Sequence, residues 1–180
     1  MDISELIANS IRQSAVEVFT TMLSAEVKAD EVRMESAVAE PNNGVVSFIG
    51  LAGSWAGTGS IVCSPAVACR VCTQMLMTEA TVVNEDVLDA VAELTNMIIG
   101  GVKTELEKQL GPLGLSIPTV VFGRNFKTKG AGNAQWCIER FHWDQEEFVV
   151  KVCLEPNKQH SHTSPQATGQ TCPIEVKPLV

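Results

Sequence analysis

Basic residues are the scarce class in this sequence: 13 Lys and Arg stand against 21 Asp and Glu, giving a formal net charge of -8 and a pI near 4.9. That balance argues against nucleic acid or an anionic membrane surface as the main partner. Nowhere do 18 apolar residues run together, so no membrane-spanning helix is expected. The opening residues Met1-Asp2-Ile3-Ser4-Glu5 hold neither a basic stretch nor an uninterrupted apolar run. A secretory leader is therefore not expected, and the cytoplasm is the expected location. Internal repeats are lacking too. What is present is 45% hydrophobic and 19% charged residues in a chain of 180, the balance of one globular domain with a real core. The six cysteines, Cys63, Cys69, Cys72, Cys137, Cys153 and Cys172, read as reduced thiols rather than a disulfide framework in such a setting.

Periodicity supplies the elements. Ile7, Ile11, Val16, Phe19 and Leu23 recur at mostly helical spacing and predict a long amphipathic helix over residues 4–28. Residues 31–39 and 45–51 read as two strands joined in a hairpin by Glu40-Pro41-Asn42-Asn43-Gly44, a composition that favours a tight turn. A third strand over 56–63 follows the turn at Gly53. Ser64-Pro65 opens a short helix over 66–77, with serine as the cap and proline where its missing N–H does no harm. Asn84 caps a longer helix that runs to Leu110 and stops at Gly111-Pro112, with Glu85 and Asp86 where the helix dipole favours anions. Strands are expected over 118–122, 134–143 and 147–154. The fold class is then α+β: one mostly antiparallel sheet of about six strands packed against three helices, as a single domain over residues 1–155. Beyond Glu155 the composition turns to Pro, Asn, His, Ser, Thr and Gln, so residues 156–180 read as a flexible tail.

Turning the helix from Asn84 at roughly 100° per residue places Val87, Val91, Leu94, Ile98 and Val102 on one stripe, the core face. Asp89, Glu93, Asn96, Gly100 and Lys103 form a second stripe on the opposite side, with Met97 and Ile99 as apolar shoulders. From periodicity alone this is either a solvated face whose Gly100 and Gly101 allow close packing, or a docking ridge. The ridge would offer a charge at Glu93 and, at Asn96, an amide that both donates and accepts. Such an amide can hold a water in line with a phosphorus atom, because phosphoryl transfer asks mainly for positioning and charge stabilisation.

The pattern Asp89-x3-Glu93-x2-Asn96, followed after 21 intervening residues by Pro118, resembles the signature of the CheC, CheX and FliY chemotaxis phosphatases, which dephosphorylate the response regulator CheY. The run from Asp89 to Lys103 is similar to the active helix of the CheX type. Phe48-Ile49-Gly50-Leu51-Ala52-Gly53 and Ser116-Ile117-Pro118-Thr119-Val120-Val121 with Gly123 extend the likeness over the chain up to about Leu154. The resemblance implies a CheX/CheC-like fold and a phosphatase acting by direct water attack on an aspartyl phosphate. It implies catalytic roles for Glu93, which would pair with the receiver's lysine, and Asn96, which would orient the water. Asp89, Met97, Gly100 and Lys103 would then serve partner binding. No cofactor or metal of the chain's own is expected; Mg²⁺ would belong to the receiver. The implied partners are a phosphorylated CheY-like regulator and a second copy of the chain in a homodimer. CheC-like relatives carry two such motifs, but the first helix here offers only Ser14-x2-Glu17-x2-Thr20, with the wrong spacing and no asparagine. A single site points to the CheX type. A receiver-binding adaptor of the same fold, without catalysis, is the alternative.

Other constellations carry less. Cys69-x2-Cys72 lacks a second pair at zinc-ribbon spacing and reads as structural thiols. Gly53-Ser54-Trp55-Ala56-Gly57-Thr58-Gly59 has no following Gly-Lys-Ser or Gly-Lys-Thr and reads as a hairpin rather than a phosphate cradle. Arg124, Lys127 and Lys129 read as a solvated loop, and His160, His162 and Cys172 as part of a solvated tail.

Overall fold

The computed structural model describes residues 2–36, 41–129, 135–157 and 175–178. Asp2 caps the first helix by accepting from the Ser4 amide, and α1 runs over Ile3–Met22. It ends earlier than periodicity suggests, because Ser24 takes a left-handed φ of 48° and Ala25 turns its amide back to the Phe19 carbonyl at 3.0 Å. Val16 points outward, and Ala15 and Val18 take its place in the core.

Nine antiparallel strands follow in chain order with two helices between them: β1 Lys28–Ala29, β2 Arg33–Ser36, β3 Pro41–Gly53, β4 Trp55–Cys63, α2 Pro65–Leu76, α3 Glu85–Leu110, β5 Leu113–Leu115, β6 Thr119–Lys129, β7 Gln135–Trp143, β8 Glu146–Pro156 and β9 Glu175–Pro178. One sheet holds all of them in the order β1-β7-β8-β4-β3-β6-β9, with β2 also on β7 and β5 also on β3. Three helices on a mostly antiparallel sheet is the expected α+β architecture, with more strands than expected and with β3, β6 and β8 longer than periodicity suggests.

The expected hairpin over residues 31–51 does not form. Met34 of β2 lies opposite Cys137 of β7, whereas β3 pairs with β4 and β6. Gly44 has a positive φ of 128°, but it serves a bulge between Asn42 and Gly44 within β3, where a Cβ would lie 2.5 Å from the Cys63 carbonyl oxygen. A bulge and a tight turn ask for the same residue types, so local composition could not separate them. The Gly53–Gly59 segment does make the β3–β4 hairpin.

The flexible tail is also corrected in part. Pro156 ends β8 opposite Trp55, and the Asn157 amide donates to Ser54. Glu175–Pro178 pairs as β9 along Phe126–Lys129 of β6. The intervening tail residues, with His160, His162 and Cys172, lie outside the described residues.

The helices cover one face of the sheet. Phe19 of α1 stacks on Phe148 of β8 with ring centres 4.7 Å apart and meets Trp143 of β7 edge-on. On the opposite face Val46, Phe48 and Phe126 form a second, small apolar cluster. Between α1 and β7 the Glu139 side chain is fully buried, held by Arg12 at 2.6 Å, with its second oxygen unpartnered.

Candidate functional site

Helix α3 begins where the Asn84 side chain accepts from the Val87 amide at 3.1 Å. Val87, Val91, Leu94, Ile98 and Val102 are all buried. Each full burial stabilises by about 1.5–3 kcal/mol. The glycines Gly100 and Gly101 cost about 1 kcal/mol each against alanine, too little to break the helix. The core face is therefore as the periodicity places it. Ile99 is not a shoulder of the outer stripe: it is fully buried, with its side chain over Gly59 of β4.

On the far side Asp89, Glu93 and Asn96 are exposed, and Met97, Gly100 and Lys103 are half-buried. Glu93 and Asn96, three positions apart, share one face of the helix. Among the described residues no hydrogen bond or ion pair engages either side chain, nor that of Asp89. The structure thus brings the predicted acid and amide together, outward and uncommitted. The neighbouring Thr95 is instead buried and donates to the Val91 carbonyl at 2.8 Å.

The two glycines face different ways. A Cβ on Gly101 would lie 2.2 Å from the Ser14 oxygen, so this glycine lets α1 press against α3. There Ser14, buried, donates to the Ile98 carbonyl at 2.7 Å. A Cβ on Gly100 would meet only the Leu115 side chain at 3.9 Å, ordinary contact, so packing does not demand glycine there.

Lys103 is less free than the stripe suggests. Its Nζ lies 2.7 Å from Glu107, whose other oxygen accepts from the Leu113 amide at 2.7 Å. The hydrogen bond from Lys103, then that from Leu113, holds the Glu107 carboxyl below its ordinary range. Glu107 thereby ties the end of α3 to β5. Sequence reasoning missed this latch, and it met Ser14 only as part of a failed second motif. The remaining signal for Ser14 was a small residue on the inner face of α1, too common to single out.

Other candidates dissolve. Cys69 and Cys72 lie buried on α2, where burial pushes both thiols up; burial drives Cys63 to about 12. Such thiols stay protonated and are poor ligands or nucleophiles. Among the described residues no three His, Cys, Asp or Glu side chains cluster to hold a metal. Arg124, Lys127 and Lys129 belong to strand β6 rather than to a loop. Pro118 stands immediately before that strand.

Residues 45–142 match the family model described as chemotaxis phosphatase CheX. That match covers most of β3, all of β4 and α3, and most of β7. The chain belongs to the CheX family. It is 30% identical over 127 residues to the CheY-P phosphatase CheX of Thermotoga maritima, covering 70% of this chain and 81% of that relative. The crystal structure of CheX from Vibrio vulnificus is 27% identical, covers 83% of this chain and 99% of its own, and superposes with a TM-score of 0.74. CheX of Borrelia burgdorferi, solved as a CheX-CheY-BeF3-Mg²⁺ complex, shares the fold at 20% identity with a TM-score of 0.68, over 81% of this chain and 96% of that one. The CheX family match thus includes the helix that carries Glu93 and Asn96.

Proposed function

We propose that this chain dephosphorylates a CheY-type response regulator, with α3 as the active helix. One observation carries the reading: Glu93 and Asn96 stand exposed, their side chains without partners among the described residues, on a helix otherwise locked into the core. Family membership and the Thermotoga relative's activity as a CheY-P phosphatase support it.

In this mechanism the ridge enters the receiver's active site. Glu93, a carboxylate on an exposed helix face, takes the receiver's lysine as its counter-ion. The Asn96 carbonyl accepts from the attacking water while its amide N–H₂ donates nearby, fixing the oxygen in line with phosphorus. The water oxygen bonds to phosphorus as the bond from phosphorus to the aspartyl oxygen breaks; the aspartate carboxylate stays in the receiver, and inorganic phosphate leaves carrying the water's protons. No covalent intermediate forms on this chain. The Mg²⁺ belongs to the receiver, where it balances phosphate charge. Asp89, Met97, Gly100 and Lys103 flank the two catalytic groups as docking positions.

The proposal also includes a cytoplasmic setting, where such a regulator is met, and a homodimer. An open sheet has two edges across which a second copy can pair. Sedimentation of the purified chain tests the dimer. The deciding experiment for the activity is phosphate release from phosphorylated CheY with this chain in catalytic amounts. Many turnovers per chain are expected; no acceleration, or stoichiometric protection of the phosphate, would make it a receiver-binding adaptor instead.

A further inference from the structure

The loop between β5 and β6 carries an aliphatic side chain in an unusual position. Ile117 is 88% exposed, the most exposed large apolar residue among those described. Its backbone is nevertheless fixed. On one side Ser116 donates its amide to the Gly50 carbonyl at 2.9 Å and accepts from the Gly50 amide on its hydroxyl at 2.8 Å. The same hydroxyl donates to the Ile117 carbonyl at 3.1 Å. On the other side Pro118 restricts the preceding residue to extended conformations. The side chain is β-branched and stiff about χ1. A rigid apolar knob facing solvent is a poor device for stability and a good one for binding, since little ordering remains to be done when it is covered.

Its location says what covers it. Ile117 lies two residues, at most about 7 Å of chain, beyond Leu115. The Leu115 side chain sits beside Gly100, one turn along α3 from Asn96. Met97, half-buried, neighbours Gly100 on the same helix. Half-buried Leu115 is thus an apolar neighbour of the ridge, and exposed Ile117 follows it two residues on. A standard interface covers about 800 Å² on each partner, a disc of roughly 16 Å radius. Centred on Asn96, a disc of that size takes in Gly100 and Leu115 and reaches toward the loop that holds Ile117.

We propose that Ile117 is an apolar anchor for the phosphorylated receiver, seated in an aliphatic depression beside the receiver's active site while Glu93 and Asn96 engage the phosphate. The proposal rests on the phosphatase reading above. Ile117 touches no reacting atom, so it acts on affinity and positioning.

The test uses the full chain with CheY loaded with beryllofluoride and Mg²⁺ for binding, and phosphorylated CheY for turnover. Ile117→Ser is expected to weaken binding and raise KM by about ten-fold, the size of a hot-spot truncation, with kcat within about two-fold of parental. Ile117→Val, which keeps the branched aliphatic shape, is expected to restore both to within about three-fold. Parental Kd and KM in Ile117→Ser overturn the anchor. So does a change in sedimentation, which would assign Ile117 to contact between copies of this chain. Asn96→Ala separates the two levels: it should lower kcat while leaving Kd near parental. If Asn96→Ala turns over at the parental rate, the mechanism falls but the binding arm still decides on Ile117. A parental chain that neither binds nor turns over CheY removes both.

Discussion

Ser14 of α1 donates to the Ile98 carbonyl of α3 at 2.7 Å, and its oxygen occupies the space, 2.2 Å away, that a side chain on Gly101 would need. The ridge is thus braced from behind by a buried contact one turn from Asn96. Gly101→Ala must displace a hydrogen-bonded hydroxyl in a closed interface. Overpacking of about 1–3 kcal/mol outweighs the roughly 1 kcal/mol that alanine gains in a helix. A fall in Tm of several degrees in a thermal melt is expected. Gly100→Ala makes only ordinary contact with Leu115 and should raise Tm by a few degrees while weakening receiver binding. If the adjacent substitutions shift Tm equally, the bracing account is wrong.

Among the described residues the Asn96 side chain makes no hydrogen bond, so its removal should be visible only in catalysis. Asn96→Ala is expected to lower kcat for CheY-P hydrolysis by about 10² to 10³, the size of losing one positioned transition-state group. Its unfolding midpoint in urea should match the parental chain. Glu93→Gln should weaken receiver binding, with a shallower dependence on salt, because an ion pair across the interface has been lost.

Glu139 carries the pH dependence that is legible in this fold. Burial raises its carboxyl above the ordinary value, and Arg12 only partly opposes that shift. The folded state therefore holds the proton more tightly than the unfolded one. This contribution to stability is fully present below the ordinary carboxyl range and is lost as pH rises through the raised value. The other groups against it are Arg12 and Cys137, whose thiol burial and the Glu139 charge push up to about 11. Glu139→Gln should flatten the fall in stability that begins as pH rises above the ordinary carboxyl range, measured by denaturant unfolding across a pH series. Arg12→Met, which strands the acid, should cost about 1–3 kcal/mol at neutral pH, less than a fully enclosed pair because Arg12 is partly in solvent. An unchanged pH profile in Glu139→Gln would remove the assignment.

Strand β9 lies along the far stretch of β6, beyond the residues that follow Pro118. Ending the chain after Asn157 should therefore leave CheY-P turnover within about two-fold and cost no more than the fraying of one short edge strand. A large loss of turnover would give the C-terminal segment a role in docking.

Much of this was legible in the sequence, and the limits have physical causes. The buried and exposed faces of α3 follow from a single helical period, so Val91 and Glu93 fall where turning the helix places them. The caps at Ser64 and Asn84 are local chemistry and appear as read. Sheet pairing is not local: Met34 meets Cys137 across a hundred residues, and nothing near Met34 records it. Ile99 misled because one apolar residue beside a polar stripe serves equally as shoulder or core. Its fate was set by Gly59, on a strand far away in sequence. The expected flexible tail overlooked Glu175–Pro178, whose alternating composition is too short to stand out from its polar surroundings. The exposure of Ile117 was hidden for the opposite reason, since an isoleucine before a strand suggests burial.

Glu107 receives both the Lys103 ammonium and the Leu113 amide, so unwinding the last turn of α3 and peeling β5 from β3 are one event rather than two. The Leu113 amide should exchange with deuterium no faster than the amides of the helix end itself. In Glu107→Ala it should exchange early and alone, leaving the loop that follows to drift relative to the helix it now accompanies.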